Sequence, residues 1–122
     1  MEEVFLPPGW PPEVSAPGTE DWEAAAIAFL LDLLPEYRGY PQVRRYPVVL
    51  ASIANHTLRG ALAGARDGYR TVRTELGARI PPHAIEATLA AYQAEGRRLA
   101  AVVTAIDLVE RALRGETFRP RL

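Results

Sequence analysis

The stretch that decides the fold is residues 47–114, which read PVVLASIANHTLRGALAGARDGYRTVRTELGARIPPHAIEATLAAYQAEGRRLAAVVTAIDLVERALR. Prolines interrupt this stretch only at positions 47, 81 and 82. Proline breaks the interior of a helix but is well tolerated at its first position. The spacing therefore predicts one long helix over residues 47–78 and another over 82–114, joined by a short turn.

Core positions recur along the later part of the first predicted helix, and along the second, at spacings that alternate between four and three, as a heptad seam requires. A short connection makes neighbouring helices antiparallel, so this register pairs Leu62 with Leu99. The same register sets two small residues, Ala65 and Gly96, opposite each other. The pattern predicts an all-α fold built on a long antiparallel helical hairpin that resembles a coiled coil. The expected seam positions are Leu50, Ala54, Leu58, Leu62, Ala65, Tyr69, Val72 and Leu76, and then Ile85, Leu89, Tyr92, Gly96, Leu99, Val103, Ile106 and Leu113.

A proline-rich arm and one shorter helix precede the hairpin. Residues 1–18 contain five prolines, which favour extended backbone, and they also carry large apolar side chains. We expect this arm to lie along the folded body with Phe5 and Trp10 as anchors. Thr19 suits the N-cap of a helix over residues 19–34. This helix is expected to pack against the base of the hairpin.

The whole chain is expected to form a single helical domain. A chain of 122 residues is long enough for one hydrophobic core and too short for two. The predicted segments are an arm at 1–18, a helix at 19–34, a connector at 35–46, a helix at 47–78, a turn at 79–82, a helix at 82–114 and a tail at 115–122.

Charge is divided unevenly along the chain. Residues 1–37 contain eight acids and no base, whereas residues 38–122 contain all 14 basic residues, every one an arginine, with seven acids. The near-neutral net charge of −1 therefore combines −8 in the first part with +7 in the second. The two parts could pair with each other, or the second could leave an arginine surface for a partner.

One candidate binding surface is a row of arginines on the first long helix. At about 100° per residue, the four arginines fall within a wedge of roughly 60°. Such a row could hold a phosphate backbone, an acidic partner helix or an anionic metabolite. It could also be a solvated face whose side-chain stems cover the edge of the core. The row consists of Arg59, Arg66, Arg70 and Arg73.

A second candidate surface is the connector, where three arginines alternate with tyrosines. Single-stranded nucleic acids are bound by this combination, because rings stack on bases and guanidinium groups follow phosphates. The alternative is that the tyrosines pack the connector onto the helices while the arginines pair with the acidic first part. The arginines are Arg38, Arg44 and Arg45, and the tyrosines are Tyr37, Tyr40 and Tyr46.

Three glycines recur every four residues on the first long helix, at Gly60, Gly64 and Gly68. Each glycine destabilises a helix interior by about 1 kcal/mol relative to alanine. Three on one face therefore indicate a close-packing interface. The preceding helix, the proline-rich arm or a second protomer could approach the backbone there.

Features that would support catalysis or a bound cofactor are absent from the sequence. There is no cysteine, and the two histidines, His56 and His83, lie far apart in the sequence. No phosphate-binding or zinc-binding motif occurs. We therefore expect no catalytic residue, no metal and no cofactor, and the sequence favours a protein that is not an enzyme.

The sequence also bears on location. The acidic start lacks the basic region of a secretory signal. The longest apolar run falls short of the roughly 20 residues that span a membrane. We expect a cytoplasmic protein with no membrane association.

These observations favour a non-catalytic helical interaction or scaffold module. Its partner is expected to be another protein or a second copy of the chain, with a dimer favoured. One alternative is a nucleic-acid-associated protein that binds phosphates through its arginines. A second alternative is a binder or enzyme for an anionic small metabolite.

Overall fold

The computed structural model describes residues 4–121, and its regular structure is entirely helical. The predicted all-α fold with a long antiparallel helical hairpin is confirmed, because the two longest helices pack closely against each other. The predicted arm and tail also include residues 1–3 and 122, which lie outside the described residues. The helices are α1 at Trp22–Leu33, a 3₁₀ turn at Pro35–Tyr37, α2 at Pro41–Arg45, α3 at Pro47–Leu76 and α4 at Pro82–Leu113.

The connector is more helical than the sequence predicted. Both of its short helical segments begin with a proline, where the missing backbone N–H breaks no helical hydrogen bond. Val43 is 1% exposed and fixes α2 to the core. The first helix, by contrast, begins later than predicted. The Thr19 hydroxyl donates to the carbonyl of Ala16 at 2.7 Å instead of capping the helix, which begins at Trp22.

The described chain divides into two compact units. Unit 1 contains the residues up to 56 and those from 104 onward. It includes α1, α2, the first part of α3 and the last part of α4. Its most completely buried side chains come from all four helices, so these segments share one core. They are Leu30, Leu31, Val43, Leu50, Ile106 and Val109.

The proline-rich arm packs within unit 1, as expected. The indole N–H of Trp10 donates to the carbonyl of Val14 at 2.8 Å, and Val14 is buried. The Trp10 ring meets Phe118 edge to face, with 6.0 Å between ring centroids. Gly9 has a φ of +97°, and a Cβ there would lie 2.8 Å from the Thr104 methyl group. The arm therefore contributes side chains to the core rather than lying free.

Unit 2 spans residues 57–103 and consists of the remaining parts of α3 and α4 with the turn between them. The predicted pairing of Leu62 with Leu99 is confirmed, since both belong to one buried cluster. Gly77 starts the turn, and a Cβ there would collide with the carbonyl oxygen of Arg73. The cluster comprises Leu62, Ala65, Leu99 and Val103, with Leu58 and Ala100 packed against it.

Among residues 4–121, no helix combines the length and apolar character that crossing a bilayer demands. No three His, Cys, Asp or Glu side chains in this part of the chain come together in a group that could bind a metal ion.

Candidate functional site

An open groove of about 550 Å³ runs along one flank of unit 2, between α3 and α4. Two other cavities among the described residues are smaller, at about 380 and 220 Å³. Both helices contribute to it, and arginine and tyrosine side chains dominate its rim. The lining residues are Ala65, Arg66, Tyr69 and Arg70 from α3, and Tyr92, Gln93, Gly96, Arg97 and Ala100 from α4.

Small residues create this groove. Ala65, Gly96 and Ala100 line it from both helices, and a Cβ placed on Gly96 would meet no atom within 4 Å. The depression therefore lies where neither helix has a large side chain to fill the space. Arg66 and Arg97 each follow one of these small residues in sequence, so the groove has a cationic side chain on either wall.

The two tyrosines of the groove correct the sequence prediction. Tyr69 and Tyr92 were expected in the buried seam, but they are 44% and 36% exposed. The Tyr92 ring instead lies over Gly68, with its Cε1 atom 2.5 Å from the position that a Cβ would take. A seam between only two helices is too narrow to enclose two facing rings, so both reach solvent at the groove. The third exposed seam residue, Leu76, lies beside the turn, where α3 ends.

The groove has an excess of positive charge. Arg66 and Arg97 form no ion pair with any described residue. Arg70 donates to Asp67, one turn earlier on α3, at 2.9 Å, and both side chains are mostly exposed. Exposed pairs of this kind contribute only about 0–1 kcal/mol, so Arg70 can exchange Asp67 for another anion at little cost.

The structure separates the predicted arginine row into different environments. Arg66 and Arg70 line the groove. Arg73 bridges to Glu86 of α4 at 3.0 Å, which links the two helices near their turn. Arg59 also has an interaction partner within the described chain. The row is therefore not one uniform cationic surface.

The connector arginines belong to unit 1 and are likewise divided. Arg38 pairs with Asp32 of α1 at 3.0 Å. Arg45 lies over the ring of Tyr46, 5.5 Å from its centroid, and Arg44 is exposed in the last turn of α2. Tyr40 and Tyr46 are each about half exposed. Part of the predicted pairing with the acidic first part of the chain is thus present at Arg38.

The three glycines of α3 also have different surroundings. A Cβ on Gly60 or Gly64 would meet nothing within 4 Å, so both face open space. Gly68 is approached closely, but by Tyr92 of the same chain. That a partner packs against Gly60 and Gly64 stays a prediction.

Arg97 is a groove residue that the sequence analysis missed. Residues 80–114 contain four arginines and four acids, and no cationic surface was predicted on the last helix. The useful signal was register, because Arg66 and Arg97 directly follow the facing small residues Ala65 and Gly96. Antiparallel packing brings both arginines to the same flank.

Glu95 and Arg98 of α4 form a charged pair that is separate from the groove. A hydrogen bond from Arg98 holds the pKa of Glu95 below its ordinary value, and the same bond raises the pKa of Arg98. Neither residue lines the groove. Arg98 is thus satisfied locally, in contrast to Arg97 beside it.

The donors in the groove suit a carboxylate-bearing ligand. Guanidinium groups bind carboxylates with paired hydrogen bonds, and Tyr and Gln side chains add further polar contacts. Comparisons with protein families, with characterised proteins and with solved structures found no match to this chain. The functional proposal below therefore depends on the geometry of the chain itself.

Proposed function

We propose that this protein is a non-catalytic interaction module whose groove in unit 2 binds an acidic helical segment of a protein partner. The observation that carries the proposal is the position of Arg66 and Arg97. These two arginines have no acidic partner within residues 4–121, and they flank a groove whose rim holds the exposed Tyr69 and Tyr92.

The shape of the groove supports a helix as the ligand. Helices pack with their axes 8–10 Å apart, and small residues at the contact permit the closest approach. Ala65, Gly96 and Ala100 supply such a surface along the groove floor. A third helix in this position would cover the flank that a two-helix unit leaves exposed.

The composition of the rim supports a protein partner. Tyr and Arg are enriched at protein interfaces and at the residues that dominate binding energy. Arg66 and Arg97 are exposed and form no ion pair within residues 4–121, so an acidic partner can pair with them without breaking one. Such complementarity mainly governs specificity and the rate of association, and it weakens with added salt.

The test is a calorimetric titration of the protein with a helical glutamate–alanine peptide at low salt. We expect Arg66→Glu together with Arg97→Glu to weaken binding at least about tenfold, which corresponds to about 1.4 kcal/mol. The matched control is Arg44→Glu with Arg45→Glu, which changes the net charge equally at the connector. This control should leave the affinity nearly unchanged.

A steric variant separates the groove from charge alone. Gly96→Leu places a side chain into open space at the groove floor without changing any charge. We expect it to fold and to lose peptide binding. Unchanged binding in both the charge-reversed variant and Gly96→Leu would contradict the proposed site.

A second candidate function is binding of single-stranded nucleic acid at the connector. The observation that favours it is that Tyr40 and Tyr46 are half exposed beside Arg44 and Arg45. Exposed acids of the same unit, such as Glu36, oppose it by repelling phosphates. Under this alternative, an oligonucleotide binds in the same titration and the connector variant, rather than the groove variant, loses it.

The remaining alternative, an anionic metabolite, has less support. The groove volume falls within the 300–1,000 Å³ of small-molecule sites, but those sites bury most of their ligand. Here most of the lining side chains are exposed. Binding of inorganic polyphosphate in place of the peptide would favour this alternative.

The cytoplasmic location also stays a prediction, which fractionation of native cells would test.

A further inference from the structure

The chain carries an acidic segment of its own where a helix begins. Glu20 and Asp21 directly precede α1, Glu23 lies in its first turn, and all three are exposed. Within residues 4–121, none of the three forms an ion pair. This acidic start of α1 (Glu20, Asp21 and Glu23) therefore resembles Arg66 and Arg97, which also form no ion pair with a described residue.

The exposed face that follows these acids is made of small residues. Ala24 and Ala28 are exposed and lie one turn apart on α1, so they share a face of that helix. Small side chains on this face let the helix axis approach another surface closely. The groove floor at Ala65 and Gly96 has the same property.

We infer that the groove of one molecule binds the acidic start of α1 from a second copy of this chain. This inference rests on the proposed function and names its partner. Charge complementarity supports it, because Glu20, Asp21 and Glu23 carry negative charge and Arg66 and Arg97 positive charge, and none of the five is in an ion pair with another residue of 4–121. The exposed alanines of α1 then face the small residues of the groove.

The simplest closed assembly consistent with this inference is a two-fold dimer, in which each copy places its α1 in the groove of the other. If the grooves of two copies faced each other instead, arginine would meet arginine and the two surfaces would repel each other. The separation of −8 and +7 along the chain favours the reciprocal arrangement for the same reason.

The first measurement is sedimentation equilibrium over a range of protein and salt concentrations. We expect the weight-average mass to rise from the monomer value of 13.4 kDa towards twice that value as protein concentration increases at low salt. Added salt should shift the mass back towards the monomer. A mass that stays at the monomer value at every concentration and salt overturns the inference.

Charge reversal then identifies the surfaces. One variant carries Glu20→Arg and Glu23→Arg, and the other carries Arg66→Glu and Arg97→Glu. Each variant alone should show at least a tenfold weaker self-association, because it presents like charges on both surfaces. An equimolar mixture should associate again, since each acidic surface then meets a basic one. Restored association also shows that both variants are folded.

A matched control uses acids of unit 1 outside this segment, with Glu13→Arg and Glu36→Arg. This control should self-associate like the unchanged chain. Association that persists in either charge-reversed variant, or a mixture that stays monomeric, overturns the inference. If the chain is monomeric but its groove still binds the glutamate–alanine peptide, the proposed function stands and only the second copy as partner is rejected.

Discussion

Gly64 and Gly68 lie one turn apart on α3 but have opposite surroundings. A Cβ on Gly64 meets open space, whereas one on Gly68 meets the ring of Tyr92. Because alanine is the better helix former, Gly64→Ala should raise the free energy of unfolding by about 0.5–1 kcal/mol. Gly68→Ala should give no such increase, because the Tyr92 ring must move away. Urea denaturation of the two variants measures the difference.

A double-mutant cycle checks the cause. In a Tyr92→Ala background, Gly68→Ala should recover the increase of about 0.5–1 kcal/mol that Gly64→Ala gives, because the obstructing ring is gone. Equal gains from Gly64→Ala and Gly68→Ala in the unchanged chain would show that Tyr92 does not pack on Gly68.

At the residue scale, small and aliphatic seam positions were predictable and the tyrosines were not. Leu62 and Leu99 follow the spacing rule and are buried. Tyr69 and Tyr92 fit the same spacing, but a pattern of apolar positions carries no information on whether two rings fit between two helices. Arg97 was missed because the flank of the hairpin on which a residue lies depends on how the two helices pack, and not on the sequence of one helix alone.

At the scale of elements, prolines were the most reliable signals. Pro47 and Pro82 begin α3 and α4 as predicted. The helix ends were predicted less accurately than the starts. The α3 helix ends at Leu76 and α4 ends at Leu113, each within two residues of the predicted end. The start of α1 was placed too early because Thr19 can bond to a turn carbonyl as readily as cap a helix.

Glu110 connects α3 and α4 within unit 1. Its carboxylate accepts a hydrogen bond from the amide of Asn55 at 2.9 Å and another from Arg114 at 2.7 Å. Burial raises the pKa of Glu110, but the hydrogen bonds from Asn55 and Arg114 and the nearby positive charges outweigh it and lower the pKa overall. The ionised form is thus favoured in the folded protein.

The lowered pKa of Glu110 predicts how stability depends on pH. The folded protein binds this proton less readily than the unfolded chain, whose glutamates have a pKa near 4.5. The stabilisation is therefore complete above that pH and is lost as pH falls through the lower folded pKa. Glu110→Gln should be less stable at pH 7 and should lose less stability on acidification. Urea denaturation between pH 7 and pH 3 measures both effects.

The exposed Glu116 provides a control for this prediction. Its pKa is lowered by a hydrogen bond from Arg111, but that pair lies at the surface. Glu116→Gln should therefore change the free energy of unfolding less than Glu110→Gln does. The same loss in both variants, or an unchanged pH dependence in Glu110→Gln, would contradict the role assigned to Glu110.

At the scale of the whole molecule, charge separation was visible in the sequence but its consequence was not. Two outcomes were open, namely pairing of the acidic and basic parts within the chain or an exposed arginine surface. The described residues show both, because Arg38 pairs with Asp32 while Arg66 and Arg97 have no acidic partner. Sequence could not decide between them, since the result depends on which flank each arginine occupies after packing.

The groove is likewise a property of the packed helices. Its floor was predictable from the facing pair Ala65 and Gly96, and its walls were not. The proposed interaction therefore depends on positions that are far apart in sequence and meet only in the hairpin.

The proposed groove is tested by a nuclear magnetic resonance titration with the helical glutamate–alanine peptide, monitored through backbone amide shifts. If the peptide binds in the groove, the amides of Ala65, Gly96 and Arg97 should shift most, with little change in α2. Shifts largest at Arg44 and Arg45, or no shifts at a saturating peptide concentration, would contradict it.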